Sequence, residues 1–163
     1  MPDEGFTKLV DDHSRLVLSA AYRVLGNRTA AEDVHQDVFT AIWQRWGSYN
    51  GDVSWAAYLY RCSVRKAIDY AKTSRAVRSI DTMSEPSTVN NADSRAITTE
   101  MQDKLADCIS RLPQRQAEVF VMCRTDGKSY LEIAEVLECS PQTVRVHMHR
   151  ALTQLAKDFK EYL

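Results

Sequence analysis

Residues 127–150 read GKSYLEIAEVLECSPQTVRVHMHR, and their pattern is that of two helices joined by a tight turn. Ser129 is placed to cap the first helix, and Ile133, Val136 and Leu137 give it an apolar side. Glu138 and Cys139 interrupt that pattern. Ser140 then supplies an N-cap, and Pro141 a pre-set first helical position, for the second helix. At about 100° per residue, Val144, Met148, Ala151, Leu152 and Leu155 fall on one arc of that helix. Gln142, Arg145, Val146, His149, Arg150 and Thr153 fall on the other. A helix that buries one side and offers Arg, His, Gln and Thr on the other suits the major groove of duplex DNA. The plainer alternative is a solvated face in a helical bundle.

The rest of the chain is consistent with an all-α protein. Its 163 residues suffice for one or two small domains, each with a modest core. Glycine and proline are scarce, and no strand-like alternation repeats. The formal net charge of −1 excludes a uniformly basic nucleic-acid coat, but charge is unevenly placed. Arg61, Arg65, Lys66, Lys72, Arg75 and Arg78 stand against a single acid, Asp69, within one short stretch. That is a local basic stripe of the kind phosphates attract.

Several function classes are disfavoured. The N-terminal segment carries Asp3, Glu4, Asp11 and Asp12, and no apolar run approaches ~18 residues, so neither a signal peptide nor a membrane span is expected. Cys62, Cys108, Cys123 and Cys139 form no CxxC pair and are expected to act as small apolar residues in a reducing cytosol. A zinc site joining Cys139 to His147 or His149 matches no common spacing, so no metal or other cofactor is expected. There is no Gly-rich phosphate loop, no His-Glu-x-x-His pair and no nucleophile with a plausible base, so the chain is not expected to be an enzyme.

Periodicity predicts a first helix over residues 6–25, stopped by Gly26 and Asn27. A second helix runs to about Trp46, with Thr29 and Glu32 spaced for a capping box. Residues 47–54 read as a loop, and a third helix starts at Trp55 and runs to Thr73 or beyond. Residues 79–99 are polar and aperiodic, which predicts a mobile linker. A helix near 100–110 and another over 113–125 precede the helix pair. The predicted architecture is therefore two small helical domains, of three and four helices, joined by a flexible linker.

Two further surfaces stand out. On the second helix, Asp33, Gln36, Asp37, Thr40 and Gln44 line one side, with Glu32 and Trp43 at its edge, opposite the apolar Val34, Val38, Phe39 and Ile42. Such a stripe suits a basic protein partner, although a lone polar helix face is more often merely solvated. Around the third helix, Tyr49, Trp55, Tyr58 and Tyr60 mix with Arg61, Arg65 and Lys66. Aromatic rings stack on unpaired bases while cations hold the backbone, as in single-strand capture. Trp55 and Tyr58 could equally be packing residues.

Taken in order, these segments resemble one family: the extracytoplasmic-function group of sigma factors, the promoter-recognition subunits of bacterial RNA polymerase. Residues 31–39 (AEDVHQDVF) resemble its polymerase-binding segment, and Tyr58-Leu59-Tyr60-Arg61 with Ala67-Ile68-Asp69-Tyr70 its promoter-melting helix. Residues 112–120 (LPQRQAEVF) and 129–134 (SYLEIA) resemble its second domain. The resemblance covers nearly all of the chain outside the linker. It implies a core-binding and −10 domain at 1–78, a linker at 79–99 and a −35 domain at 100–163 with its helix-turn-helix over 130–149.

The resemblance also assigns roles. Asp33, Gln36, Asp37, Thr40, Trp43 and Gln44 would meet the clamp helices of the polymerase β′ subunit, and the second domain its β flap. Tyr49, Asn50, Trp55 and Tyr58 would capture a flipped −10 base, with Arg61, Arg65, Lys66 and Lys72 tracking phosphates. Ser129, Tyr130, Gln142, Thr143, Arg145, Val146, His149 and Arg150 would engage the −35 duplex, Ser129 and Tyr130 where a helix N-terminus could meet a phosphate. An anti-sigma factor, soluble or membrane-bound, is a further implied partner. The family usually has Asn where this chain has Arg65, and Arg where it has Lys72; the extra charge at Arg65 shifts the expected balance at −10 from base discrimination toward phosphate affinity. A helix-turn-helix regulator working without polymerase, or a decoy that only titrates an anti-sigma factor, remain the rival readings.

Overall fold

A helix begins where a side chain satisfies its first free N–H groups, and the first helix here begins on such a contact. Asp3 accepts a hydrogen bond from the Gly5 N–H at 2.8 Å, and α1 spans Glu4–Leu25. It ends at Gly26, whose φ of 65° lets the chain turn in the left-handed region. The computed structural model describes residues 3–49, 51, 53–81 and 93–160.

α2 spans Arg28–Gln44 and departs from the expected start. Asn27, not Thr29, is its N-cap, accepting from the Ala30 N–H at 3.0 Å. With the cap taken two residues earlier, Thr29 lies within the first turn, and Glu32 pairs with Arg28 at 3.2 Å. A 3₁₀ turn over Trp46–Ser48 follows, and α3 spans Trp55–Asp81. These three helices pack around Leu9, Val17, Val34, Val38, Ile42, Leu59 and Ala67. Fully burying a Leu, Val or Ile side chain among them contributes roughly 1.5–3 kcal/mol. The buried Ser63 hydroxyl donates to the Val17 carbonyl at 2.8 Å, which satisfies a polar group inside the α1–α3 seam.

The expected linker over 79–99 is helical at both ends. α3 continues through Asp81 and α4 spans Asp93–Ser110, since neither flank holds a proline or glycine to stop helix propagation. Residues 82–92 lie outside the described residues. α5 spans Gln114–Phe120, and the helix expected to continue to 125 instead widens into a π turn over Val121–Thr125, with the Asp126 N–H reaching back to the Val121 carbonyl. α6 spans Tyr130–Leu137 and α7 spans Pro141–Lys160. Ser140 caps α7 as expected, accepting from the Thr143 N–H at 3.1 Å.

Leu112, Met122, Ile133, Leu137, Val144 and Met148 form the core of the C-terminal half. Leu152 is not part of it: at 38% exposed, it lies off the narrow stripe made by Val144, Met148, Ala151 and Leu155. That core does not stop at the domain boundary. Ala20 of α1 and Tyr60, Val64 and Ile68 of α3 belong to the same continuous apolar cluster, with α4, α5 and α6 against α3 and the π turn against α1.

Candidate nucleic-acid and partner interfaces

The polar stripe of α2 lies at the surface. Asp33, Gln36, Asp37, Thr40, Trp43 and Gln44 are all exposed, Trp43 by 46% despite its size. Beside them runs a groove of about 580 Å³ lined by Phe6, Glu32, His35, Gln36, Phe39, Thr40 and Trp43. Phe6 packs on Trp43 with ring centroids 4.8 Å apart and on Trp46 at 5.4 Å. His35 hydrogen-bonds the Ser14 hydroxyl of α1, and burial pulls its pKa down against the opposing pull of Glu32. The result is an acidic and amide face with an aromatic slot beside it. Phe6 and His35 escaped the sequence reading because they come from the preceding helix, α1, and from the edge of the stripe.

At α3 the aromatic residues pack mainly on each other. Trp46 and Trp55 stack at 5.8 Å, Tyr49 meets Trp55 at 5.1 Å, and the Tyr49 and Tyr58 hydroxyls lie 3.2 Å apart. Trp55 is thereby committed to Trp46 and Tyr49. Tyr49 and Tyr58 also wall a second cavity of about 390 Å³, with Arg45, Cys62, Arg65, Lys66 and Asp69 around it. This pocket joins a ring edge, cations and a half-buried thiol whose pKa burial pushes up. Asn50 lies outside the described residues. Arg61 and Lys72 are half-buried, and Lys72 Nζ donates to the Leu112 carbonyl at 3.3 Å instead of pointing to solvent. Arg45 joins the site without having been singled out, since no spacing rule links a helix C-terminus to a residue a helix away.

In the helix pair, Ser129 Oγ accepts from the Glu132 N–H at 3.1 Å while the Glu132 carboxylate accepts from the Ser129 N–H at 3.2 Å. This capping box holds the Glu132 carboxyl below its usual range, the backbone bond from Ser129 being the main cause. It also fills the Ser129 N–H with the helix's own acid, so that amide is not left for a phosphate. Tyr130 is half-buried against the core. On α7, Gln142, Thr143, Arg145, Val146, His149 and Arg150 are exposed, while Val144, Met148 and Ala151 are buried. Ser140 and Thr143 hydroxyls lie 2.9 Å apart, so Thr143 helps hold the helix start. Arg150 and His149 line a shallow groove with Arg111, Gln116, Thr153 and Gln154. Arg145 lies outside that groove, nearer the start of the helix.

Comparison with known proteins joins these surfaces into one identity. The Sigma-70 region 2 family matches residues 9–77, and the Sigma-70 region 4 family matches residues 102–155. The chain belongs to the sigma-70 family. Its curated relatives place it in the extracytoplasmic-function (ECF) group. It is 24% identical over 169 residues to the ECF RNA polymerase sigma factor SigW of Bacillus subtilis (strain 168), covering 97% of this chain and 90% of that protein. It is likewise 24% identical over 158 residues to the ECF RNA polymerase sigma factor SigK of Mycobacterium sp. (strain KMS), covering 93% of this chain and 81% of that one. Among solved structures it resembles CnrH, determined in complex with the cytosolic domain of CnrY, with a TM-score of 0.52 and 25% identity over 96% of this chain and 88% of that one. The fold is also that of the sigma factor RpoE determined with the anti-sigma factor NepR from Bartonella quintana, with a TM-score of 0.51 and 17% identity over 97% of this chain and 98% of that one. The region 2 match spans the α2 stripe and the α3 pocket, and the region 4 match spans the exposed arc of α7. No helix among the described residues is long and apolar enough to cross a membrane.

Proposed function

We propose that this chain is an alternative sigma factor that binds core RNA polymerase in the cytoplasm and directs initiation at promoters carrying −35 and −10 elements. It does no covalent chemistry of its own. The exposed acid and amide face of α2 docks on the β′ clamp helices, with the aromatic slot taking an apolar side chain beside the polar contacts. The C-terminal half sits at the β flap. The Tyr49–Tyr58–Arg65–Lys66 pocket takes an unpaired −10 base and its phosphates. The anti-sigma complexes of the solved relatives support a regulatory protein partner of the same kind here.

One observation carries this reading furthest: a single helix, α7, buries Val144, Met148 and Ala151 while presenting Arg145, Val146, His149 and Arg150 to solvent behind a tight Ser140 cap. That is the geometry of a recognition helix, in which N-terminal residues reach base edges and later ones meet the backbone. Run-off transcription with purified core polymerase tests it. Promoter-dependent transcripts that appear only when the chain is added support the reading, and their absence across a library of −35 and −10 sequences would sink it.

A further inference from the structure

A helix N-cap needs one side-chain oxygen, and Asp3 has two. Its Oδ1 accepts from the Gly5 N–H at 2.8 Å and starts α1, while its Oδ2 accepts from the Trp46 indole N–H at 3.0 Å. The bond from Trp46 is the main cause, and the Gly5 N–H the next, that holds the Asp3 carboxyl below its usual range. Gly5 leaves room for this approach, since a Cβ there would lie 3.1 Å from Asp3 Oδ1 and 3.4 Å from Trp46 Cζ2. Phe6, the next residue, packs on the same indole with ring centroids 5.4 Å apart. The head of α1 is thus built around the ring of Trp46.

Trp46 in turn stands between two walls of the cavity beside α3. It follows directly on Arg45 and opens the 3₁₀ turn that delivers Tyr49, whose N–H donates to the Trp46 carbonyl at 3.4 Å. Its ring stacks on Trp55 at an interplanar angle of 29° and lies 6.5 Å from the Tyr49 ring. Arg45 and Tyr49 line the cavity together with Tyr58, whose ring is 5.9 Å from that of Tyr49. Trp46 does not itself line it. An aromatic wall discriminates among bases only while its ring is held still, because hydrogen bonds to a base edge are directional and a displacement of about 1 Å spoils them.

We propose that Asp3 is a positioning residue for −10 recognition: its Oδ2 fixes Trp46, and through Trp46 the Arg45 and Tyr49 walls of the pocket, so that a carboxylate on α1 that touches no DNA governs discrimination among unpaired bases. The proposal rests on the promoter reading above. Phosphate contacts from Arg65 and Lys66 carry no sequence information and do not pass through Trp46. Losing the Asp3–Trp46 bond therefore lowers base discrimination and leaves the salt dependence of binding unchanged.

The test uses holoenzyme assembled from core polymerase saturated with the full-length chain. Asp3→Asn keeps an oxygen for the Gly5 N–H, and so keeps the cap, but sets an amide N–H against the indole N–H, donor against donor. Trp46→Phe removes the donor from the other side and keeps a ring. The probes are fluorescein-labelled fork-junction DNAs that carry each of the four bases in turn at each unpaired −10 position, with binding read by anisotropy. In either variant the affinity ratio of best to worst base at one position should fall by about fivefold or more, the worth of one base-edge contact. The salt slope should match that of the unaltered chain, and the double variant should lose no more than a single one. Unchanged discrimination in Asp3→Asn overturns the proposal, even if Trp46→Phe fails to fold. Losses that add in the double variant, or that fall equally on all four bases, overturn it as well, because they do not pass from Asp3 through Trp46 to the pocket. The promoter reading fails separately: an unaltered holoenzyme with no base preference and no promoter-dependent run-off transcripts sinks that reading, and this proposal with it.

Discussion

The Tyr70 hydroxyl of α3 donates a hydrogen bond to Asp33 Oδ2 of α2 at 3.3 Å, so one acid of the polar stripe is also a tie between two helices. Asp37, one turn along, is exposed on the same face. The two acids therefore separate docking from stability. Asp37→Lys should leave the melting temperature nearly unchanged, as exposed charge swaps usually shift stability by about 0.5 kcal/mol or less. It should weaken association with core polymerase at least about tenfold, since like charges set against each other across an interface cost several kcal/mol. Asp33→Lys should lose both affinity and some stability. Wild-type affinity for Asp37→Lys in a core-polymerase titration would remove this face from the interface.

Salt dependence separates phosphate contacts from packing at α3. Each cation that neutralises a phosphate of a single strand adds about 0.7 to the slope of log affinity against log salt. Arg61→Ala with Lys66→Ala should flatten that slope by up to about 1.4 for open-promoter binding by the assembled holoenzyme. Trp55→Phe should leave the slope unchanged, because Trp55 stacks on Trp46 and carries no charge. A slope unaltered by the double substitution would place the phosphates elsewhere.

What was legible in the sequence divides by range. The starts of α6 and α7 fell where Ser129, Ser140 and Pro141 placed them, because a cap is satisfied within three residues of itself. The start of α2 did not, since Asn27 and Thr29 are both good caps and local sequence does not rank two competitors so close together. The π turn after Phe120 carries no composition signal, and Leu152 looked buried because an arc drawn on a wheel is wider than the stripe that packing uses. Least legible of all was the joint between Asp126 and Arg23, a pair separated by 103 positions. Neither residue is unusual alone; only the tertiary fold makes one the other's partner.

The capping box of α6 gives a direct stability test. Ser129→Ala removes the acceptor of the Glu132 N–H, while the backbone N–H that donates to the Glu132 carboxylate is retained. Loss of such a cap costs about 1 kcal/mol, which for a chain of this size is about 2–4 °C in melting temperature. Since Ser129 also begins the helix-turn-helix, −35 binding should fall only in proportion to stability. A large loss of DNA affinity with an unchanged melting temperature would instead assign Ser129 a direct phosphate contact.

Acid should loosen the fold through two histidines before most carboxylates titrate. His35 and His147 are both held below the usual imidazole value, chiefly by burial, with Arg150 and Arg115 adding to the effect at His147. Their folded pKa values are depressed, so on acidification the unfolded chain takes up these protons first. Their contribution to stability is thus fully present above the unfolded value of about 6.5 and is lost as pH falls from there through the folded values. Melting temperature should decline as pH falls below about 6.5, and His35→Gln with His147→Gln should flatten that decline. An equally steep decline in the double variant would assign it to other groups.

The −35 element gives the sharpest test, because two arginines of one helix are set in different surroundings. Arg145 is exposed near the start of α7, the end that reaches base edges in this docking mode. Arg150 lies further along and lines the groove beside Arg111, Gln116 and Gln154, at the rim where a duplex backbone would pass. A guanidinium bonded in bidentate fashion to a guanine edge contributes roughly 1–3 kcal/mol of discrimination, whereas a phosphate contact is indifferent to sequence. Arg145→Ala should therefore relax preference at one or two −35 positions, and Arg150→Ala should weaken all promoters about equally and reduce the salt slope by about 0.9. Transcription from a library randomised at each −35 base distinguishes the two. Uniform loss for both variants, with the −35 preference intact, would make Arg145 a backbone anchor and shift base reading to Gln142, Val146 or His149 on the same exposed arc.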